Sequence, residues 1–233
     1  MNAPRIIDLT QILRPGLRGV SIDSAKTLAR DGWNATTLHL YSHAGTHMDA
    51  QMHFEAGPET IDQHAPERCI GPAWVIRCGD VVPRQLHELA DLGDVADKLQ
   101  PGESLLLHTG WSRHVDDPAI YRDGLPRISE GLAHWCVERR VKLLGVEAPS
   151  VADVNNLEEV TRIHRILLAG GVTIVEGLMN LDQITQPKVL FVALPLKIAD
   201  GDGCPCRALA IESNAADGSI VFPLARVTAE ING

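Results

Sequence analysis

The sequence predicts an α/β protein built on a mixed β-sheet. Three observations carry this: short runs rich in Val, Ile and Leu, each bounded by Gly or Pro; few helix-like stretches between them; and a length of 233 residues, which suits one hydrophobic core. Many strands with few intervening helices argue against strict βαβ alternation, in which every parallel crossover needs its own helix. No repeat, low-complexity tract or linker-like stretch interrupts the chain, so residues 1–233 read as a single domain.

In chain order, strands are expected over 5–9, 36–42, 73–78, 104–109, 142–146, 172–176, 189–194 and 206–211. A first helix is expected over 84–98, which carries Leu86, Leu89 and Val95. A second, over 129–140, follows Ser129 as its cap. The third, over 157–169, sets Val160, Ile163, Leu167 and Leu168 at helical spacing and stops at Gly170-Gly171.

Hydrophobic residues make up 45% of the chain and charged residues 22%, the balance of a globular protein. With only 4% aromatic residues the core must be aliphatic, and few rings remain to line a pocket. A net charge of −9 repels phosphate backbones and anionic lipid, so neither nucleic acid nor membrane is an expected partner. The basic run Arg162–Arg165 is too short to change that. The chain opens with no apolar run of signal-peptide length and nowhere has 18 consecutive apolar residues. Its five cysteines, at 69, 78, 136, 204 and 206, form no framework and read as reduced thiols of a cytoplasmic protein. Cys204-Pro-Cys206 lacks the second pair that a closed zinc site requires.

Ten histidines are spread along the chain, yet His39, His43, His47 and His53 fall within fifteen positions, together with Asp49. Neutral imidazole and carboxylate are the ligands that Zn, Mn and Fe take when thiolate is absent. A strand end running into a turn at Gly45 could gather His43, His47 and Asp49, spacings that no single regular element serves. Two later residues are candidates for the same site. His164 borders the buried face of the third helix, and Glu176 shares a strand face with Val172 and Ile174, where a carboxylate needs a partner or a metal. Counting from the Gly170-Gly171 turn, His164 lies roughly 9 Å away at ~1.5 Å per helical residue. Glu176 lies roughly 16 Å away at ~3.3 Å per strand residue, and so overshoots. On spacing alone the pair reads equally as core histidine and edge glutamate, or as ligands.

The run His43-Ala-Gly-Thr-His47-Met-Asp49-Ala-Gln-Met-His53-Phe resembles the His-x-Gly-Thr-His-x-Asp-x-Pro-x-His-Phe motif of the cyclase-like metal-dependent hydrolases. That family includes bacterial kynurenine formamidase, isatin hydrolase, a dienelactone hydrolase and proteins described as polyketide cyclases. Leu106-Leu-His-Thr-Gly-Trp-Ser112, the stretch from His164 to Gly177, Ala193-Leu-Pro-Leu-Lys197 and Gly203-Cys-Pro-Cys-Arg-Ala208 resemble further blocks of the family in the expected order. The resemblance implies a compact domain with a barrel-like sheet, assembled as a homo-oligomer, dimer or tetramer. It implies divalent metal, two ions of Zn or Mn, held by His43, His47, Asp49, His164 and Glu176, with both carboxylates bridging and His53 as catalytic acid/base. Two positions depart from it. Gln51 replaces the motif's proline, and residues 14–25 lack the aromatic residue that formamidases use against the substrate carbonyl, which argues against N-formylkynurenine as substrate.

The expected chemistry is metal-assisted hydrolysis of a carbonyl C–N bond (a formamide, or a cyclic amide such as isatin or a lactam) or of a lactone. A divalent cation lowers the pKa of bound water from ~15.7 towards ~7. His53, with an ordinary pKa near ~6.5, is suited to deliver a proton to the leaving amine or alkoxide. A metal-dependent cyclase or dehydratase would use the same ligands; a non-catalytic metal-binding scaffold would not need His53. Trp74, Trp111 and Trp135 read as core, with Trp111 the best placed to line a site, and His39 as support for the ligands. His64, His87, His108, His114 and His134 read as structural or surface. Arg207 either steers an anionic substrate or pairs with a neighbouring acid.

Overall fold

The computed structural model describes residues 4–213. The chain runs through β1 (Arg5–Asp8), β2 (Val20–Lys26), α1 (Leu28–Asp31), β3 (Ala35–Leu40), β4 (His47–Asp49), β5 (Ile70–Arg77), β6 (Leu86–His87), α2 (Val95–Lys98), β7 (Ser104–His108), α3 (Pro118–Asp123), β8 (Arg127–Ile128) and α4 (Glu130–Glu138). It continues through β9 (Leu143–Val146), α5 (Leu157–Ala169), β10 (Thr173–Glu176), β11 (Lys188–Pro195) and β12 (Gly203–Glu212). Seven strands close a barrel in the order β12-β11-β5-β7-β9-β10-β4, with β4 pairing back onto β12. The β5-β7-β9-β10 run is parallel and the remaining pairings are antiparallel, giving the mixed sheet expected of this sequence. Closure depends on the length of β12. One edge pairs with β11; the other takes β4 at residues 203–205 and β1 at residues 209–212.

Period-two alternation divides the apolar residues into two layers. Met48, Leu106, Leu143, Val175 and Phe191 pack inside the barrel. Their neighbours Leu105, Leu107, Leu144 and Ile174 point outward, against Leu132 of α4 and Ile163 and Leu167 of α5. Ser129 and Asn156 cap these two helices by accepting from the amides of Leu132 and Glu159.

Three expectations need correction. Residues 84–98 are not one helix: they divide into β6, a 3₁₀ turn at Leu89–Leu92 and α2, broken at Gly93. The strand expected over 36–42 ends at Leu40 and pairs only with β2, as a hairpin outside the barrel. His39 on that hairpin faces Asp23 and solvent, so it supports no ligand. The barrel strand that matters most is β4, only three residues long, too short to register as an apolar run. Trp111 is fully buried with its indole N–H on the Tyr121 carbonyl at 2.9 Å; Trp74 and Trp135 are half-buried. Among the described residues no helix is long and apolar enough to cross a membrane.

Candidate active site

The site forms because β4 is the strand that closes the barrel. Met48 turns inward to the core, so His47 and Asp49 turn outward, towards α5. Register sets His47 directly opposite Glu176 on β10, and cross-strand partners of this kind lie side by side. His47 Nε2 is 3.2 Å from Glu176 Oε2. From α5, His164 Nε2 comes within 3.4 Å of Glu176 Oε1 and 3.6 Å of Asp49 Oδ2. The overshoot counted from spacing is closed by direction: helical side chains lean towards the helix N-terminus, which carries His164 the way Glu176 extends. His43 reaches in from the turn before β4, with Nδ1 2.8 Å from Asp49 Oδ1. Two stretches of chain more than a hundred residues apart therefore meet, as expected.

Two glycines make the convergence possible. Gly45, at φ 62, turns the chain between His43 and His47. Gly177, at φ 69, lets the end of β10 press against that turn; a Cβ there would lie 2.5 Å from the Gly45 carbonyl oxygen. Thr46 locks the contact by donating from Oγ1 to the Gly177 carbonyl at 2.6 Å. On the other flank Gly203 leaves room for the His43 ring, whose Cε1 would be 2.6 Å from an added Cβ.

His47 and His164 each direct Nδ1 at a backbone carbonyl, those of Gly45 at 2.9 Å and Val160 at 2.7 Å. In the neutral ring this leaves the Nε2 lone pair free to bind a cation. Asp49 Oδ2 is buried without a hydrogen-bond partner, an expensive arrangement unless a cation sits beside it. Ligand atoms gather in two groups, His43–Asp49–His53 and His47–Asp49–Glu176, each within 4.8 Å and sharing Asp49. The residues present thus fit a centre of divalent cations. Cys204 and Cys206 are buried in β12 and belong to neither group.

The electrostatics follow from crowding acids among imidazoles. Burial opposes the charged form of His43, but its hydrogen bonds to Asp49 and Asp202 prevail and raise its pKa to about 9. Burial is likewise overcome at His47 and His164, where Glu176 and Asp49 raise the pKa. Asp49 and Glu176 are held below the usual carboxylate range by the surrounding histidines, against burial and, for Glu176, against the charge of Asp49. His53 differs. Burial with only partial compensation from Asp49 lowers its pKa, which keeps this half-buried ring neutral near pH 7. It stacks on His43 with ring centroids 3.7 Å apart and stands 6.0 Å from His164.

Gln51, which replaces the motif's proline, has a defined task. Its Nε2 donates to the Leu168 carbonyl at 3.1 Å, tying the 3₁₀ turn that carries His53 to the helix that carries His164. Asp202 escaped sequence reasoning. Its Oδ2 lies 3.0 Å from His43 Nε2 and 3.6 Å from His53 Nδ1, so it touches both a ligand candidate and the acid/base candidate. Its one signal in sequence is its place just before the Gly203–Ala208 block. Arg207 pairs with Asp8 through two hydrogen bonds, at 2.7 and 3.1 Å. A cavity of about 530 Å³ opens over His43 and His47, walled by Leu17, Tyr41, Tyr121 and Pro149 among others.

Comparison with known proteins gives the family and the shared fold. A protein family described as putative cyclase matches residues 7–153. A kynurenine formamidase of Bacillus cereus is 30% identical over 177 residues, 76% of this chain and 79% of that protein. Isatin hydrolase A from Ralstonia solanacearum superposes with a TM-score of 0.79 at 26% identity, over 89% of this chain and 92% of its own. A structure described as a potential metal-dependent hydrolase with cyclase activity shares the fold, with a TM-score of 0.74 at 21% identity over 91% of this chain and the whole of its own.

Proposed function

The chain belongs to the putative cyclase family, and on that premise we propose that it hydrolyses a carbonyl C–N bond, in a formamide or a cyclic amide, or the C–O bond of a lactone. The observation that carries the reading is the meeting of His43, His47, Asp49, His164 and Glu176 around an unpartnered buried carboxylate oxygen. These five side chains would hold two divalent cations, Zn or Mn, with Asp49 shared. Cations there supply Lewis-acid polarisation of the carbonyl and a lowered pKa for water.

His53 moves the proton. Neutral at pH 7 and partly exposed where it stacks on His43, it accepts a proton as water adds to the carbonyl carbon. It returns that proton to the nitrogen or oxygen that departs when the C–N or C–O bond breaks. Asp202, with Oδ2 3.6 Å from Nδ1, keeps a negative charge beside the ring during both transfers. The relatives' activities support the amide reading: one is a kynurenine formamidase, the other an isatin hydrolase.

The experiment compares metal content and amide hydrolysis before and after chelation, in wild type, His47→Ala and His53→Ala. Wild type loses activity with its metal and regains it on reloading. His47→Ala loses both together. His53→Ala keeps metal and loses turnover by about 10²–10⁴-fold. Full activity after metal removal would sink the mechanism, and loss of metal from His53→Ala would make His53 a ligand.

A second reading, ring closure or dehydration without net hydrolysis, is favoured by the family's description as cyclase. Product formed in ¹⁸O-labelled water decides between them, since only hydrolysis leaves the label in the product. The expected homo-oligomer finds support in the projecting β2–β3 hairpin, where Leu28, Trp33 and Leu38 are all more than half exposed. Light scattering on wild type and Trp33→Ala tests it: a dimer or tetramer weakened by the substitution is expected, and a monomeric wild type contradicts it.

A further inference from the structure

The cavity over the cluster carries an unusual charge for so acidic a chain. Arg14, Arg18 and Arg122 all line it, against one carboxylate, Asp116. Two of these arginines are neutralised. Arg14 pairs with Asp116 across the mouth, and Arg122 is held by Asp123 and Asn155, each at 2.9 Å. Among the described residues Arg18 has no ion pair or side-chain hydrogen bond, so a full positive charge faces the cavity uncompensated.

Arg18 is not carried on a loose end. Leu17 N–H bonds to the Arg14 carbonyl at 3.1 Å and Val20 N–H to the Leu17 carbonyl at 3.0 Å, so residues 14–20 form consecutive turns. The Tyr41 N–H bonds to the Gly19 carbonyl at 2.8 Å, fixing those turns beside His43. Leu17 packs over Gly45, between the two histidines that line the same cavity. This segment offers two arginines and no aromatic residue.

Resting on the hydrolase reading above, we propose that the substrate carries a carboxylate besides the carbonyl that reacts, and that Arg18 binds it as the specificity-determining residue. A guanidinium engages a carboxylate through two parallel hydrogen bonds, which fixes the substrate's orientation as well as its charge.

The test uses two compounds that differ only in that group, N-formylanthranilate and formanilide, with metal-loaded full-length protein. Wild type is expected to prefer N-formylanthranilate by about tenfold or more in kcat/KM, chiefly through KM. Arg18→Gln is expected to bring that ratio to within about threefold of unity, whereas Arg207→Gln, an exposed arginine paired outside the cavity, keeps it. A wild-type ratio below about threefold, or an Arg18→Gln ratio equal to wild type's, overturns the inference. Failure of wild type to hydrolyse either compound would instead reject the formamide form of the hydrolase reading. Calorimetric binding of the same two compounds then decides the Arg18 assignment. Tighter binding of the carboxylate compound, lost in Arg18→Gln, upholds it; equal binding overturns it.

Discussion

His43 is gripped at both ring nitrogens, by Asp49 and by Asp202, and its raised pKa of about 9 means that it is protonated at neutral pH without metal. A metal ligand must be the neutral ring, so binding displaces a proton. Metal affinity should therefore rise with pH from about 6 towards 9, with proton release measurable by calorimetry in buffers of different ionisation enthalpy; a pH-independent affinity would contradict the assignment. Asp202→Asn keeps the size of the group but removes the charge beside both rings. We expect kcat to fall about 10–100-fold, the effect typical of residues that orient ligands. His43, His47 and Asp49 were legible as ligand candidates because residue type and close spacing carried the chemistry, whereas His164 and Glu176 stayed open on spacing and were drawn in by the family resemblance. Asp202 was not legible, since its contacts with His43 and His53 exist only after β12 pairs with β4, a juxtaposition spanning 159 positions.

Between elements, the site depends on close packing at the edges of β4. Adding a methyl group at Gly203 would drive it against the His43 ring and the Met48 carbonyl oxygen, 2.6 and 2.7 Å away. Gly203→Ala should bind metal more weakly while remaining folded, as read by metal analysis and circular dichroism. The far end of β12 holds a separate latch. Glu212 is buried at 3% exposure and accepts from Thr185 N–H, Thr185 Oγ1 at 2.9 Å, Gln186 N–H at 3.0 Å and Arg5 Nη1 at 3.0 Å. Burial alone would raise its pKa, but these donors prevail and lower it. The stability it adds is thus fully present above the unfolded value of about 4.3 and is lost as pH falls through the lower folded value. Glu212→Gln should destabilise the protein by about 1–3 kcal/mol at pH 7 and flatten the acid limb of a stability–pH curve measured in urea. The long strands and α5 were legible because their periodicity is strong. The 84–98 segment misled because Leu86, Leu89 and Val95 mimic a helical stripe, while Gly93 and local capping by Glu88 and Asp91 break it into shorter pieces.

At the scale of the molecule, a barrel closed by one three-residue strand places the candidate site on its outer wall, beneath α5. Many strands with few intervening helices led to the mixed sheet, and the family resemblance implied its barrel-like form; closure itself depends on β12 serving two neighbours on one edge, which no local pattern announces. Because the site joins β4, β10 and α5, cations held there should stabilise the native state by about 2.7 kcal/mol at a hundredfold excess over Kd. This should appear as a thermal shift of roughly 5–10 °C on adding Zn or Mn to the metal-free protein, and as a much smaller shift in His47→Ala. The most direct test of the metal centre takes one residue from each of the two converging stretches. Metal stoichiometry and amide hydrolysis are measured together in wild type, His47→Ala and Glu176→Gln. Wild type is expected to bind divalent cations and turn over, and either substitution to weaken both properties in parallel. Wild-type metal content and turnover in either variant would contradict a shared centre.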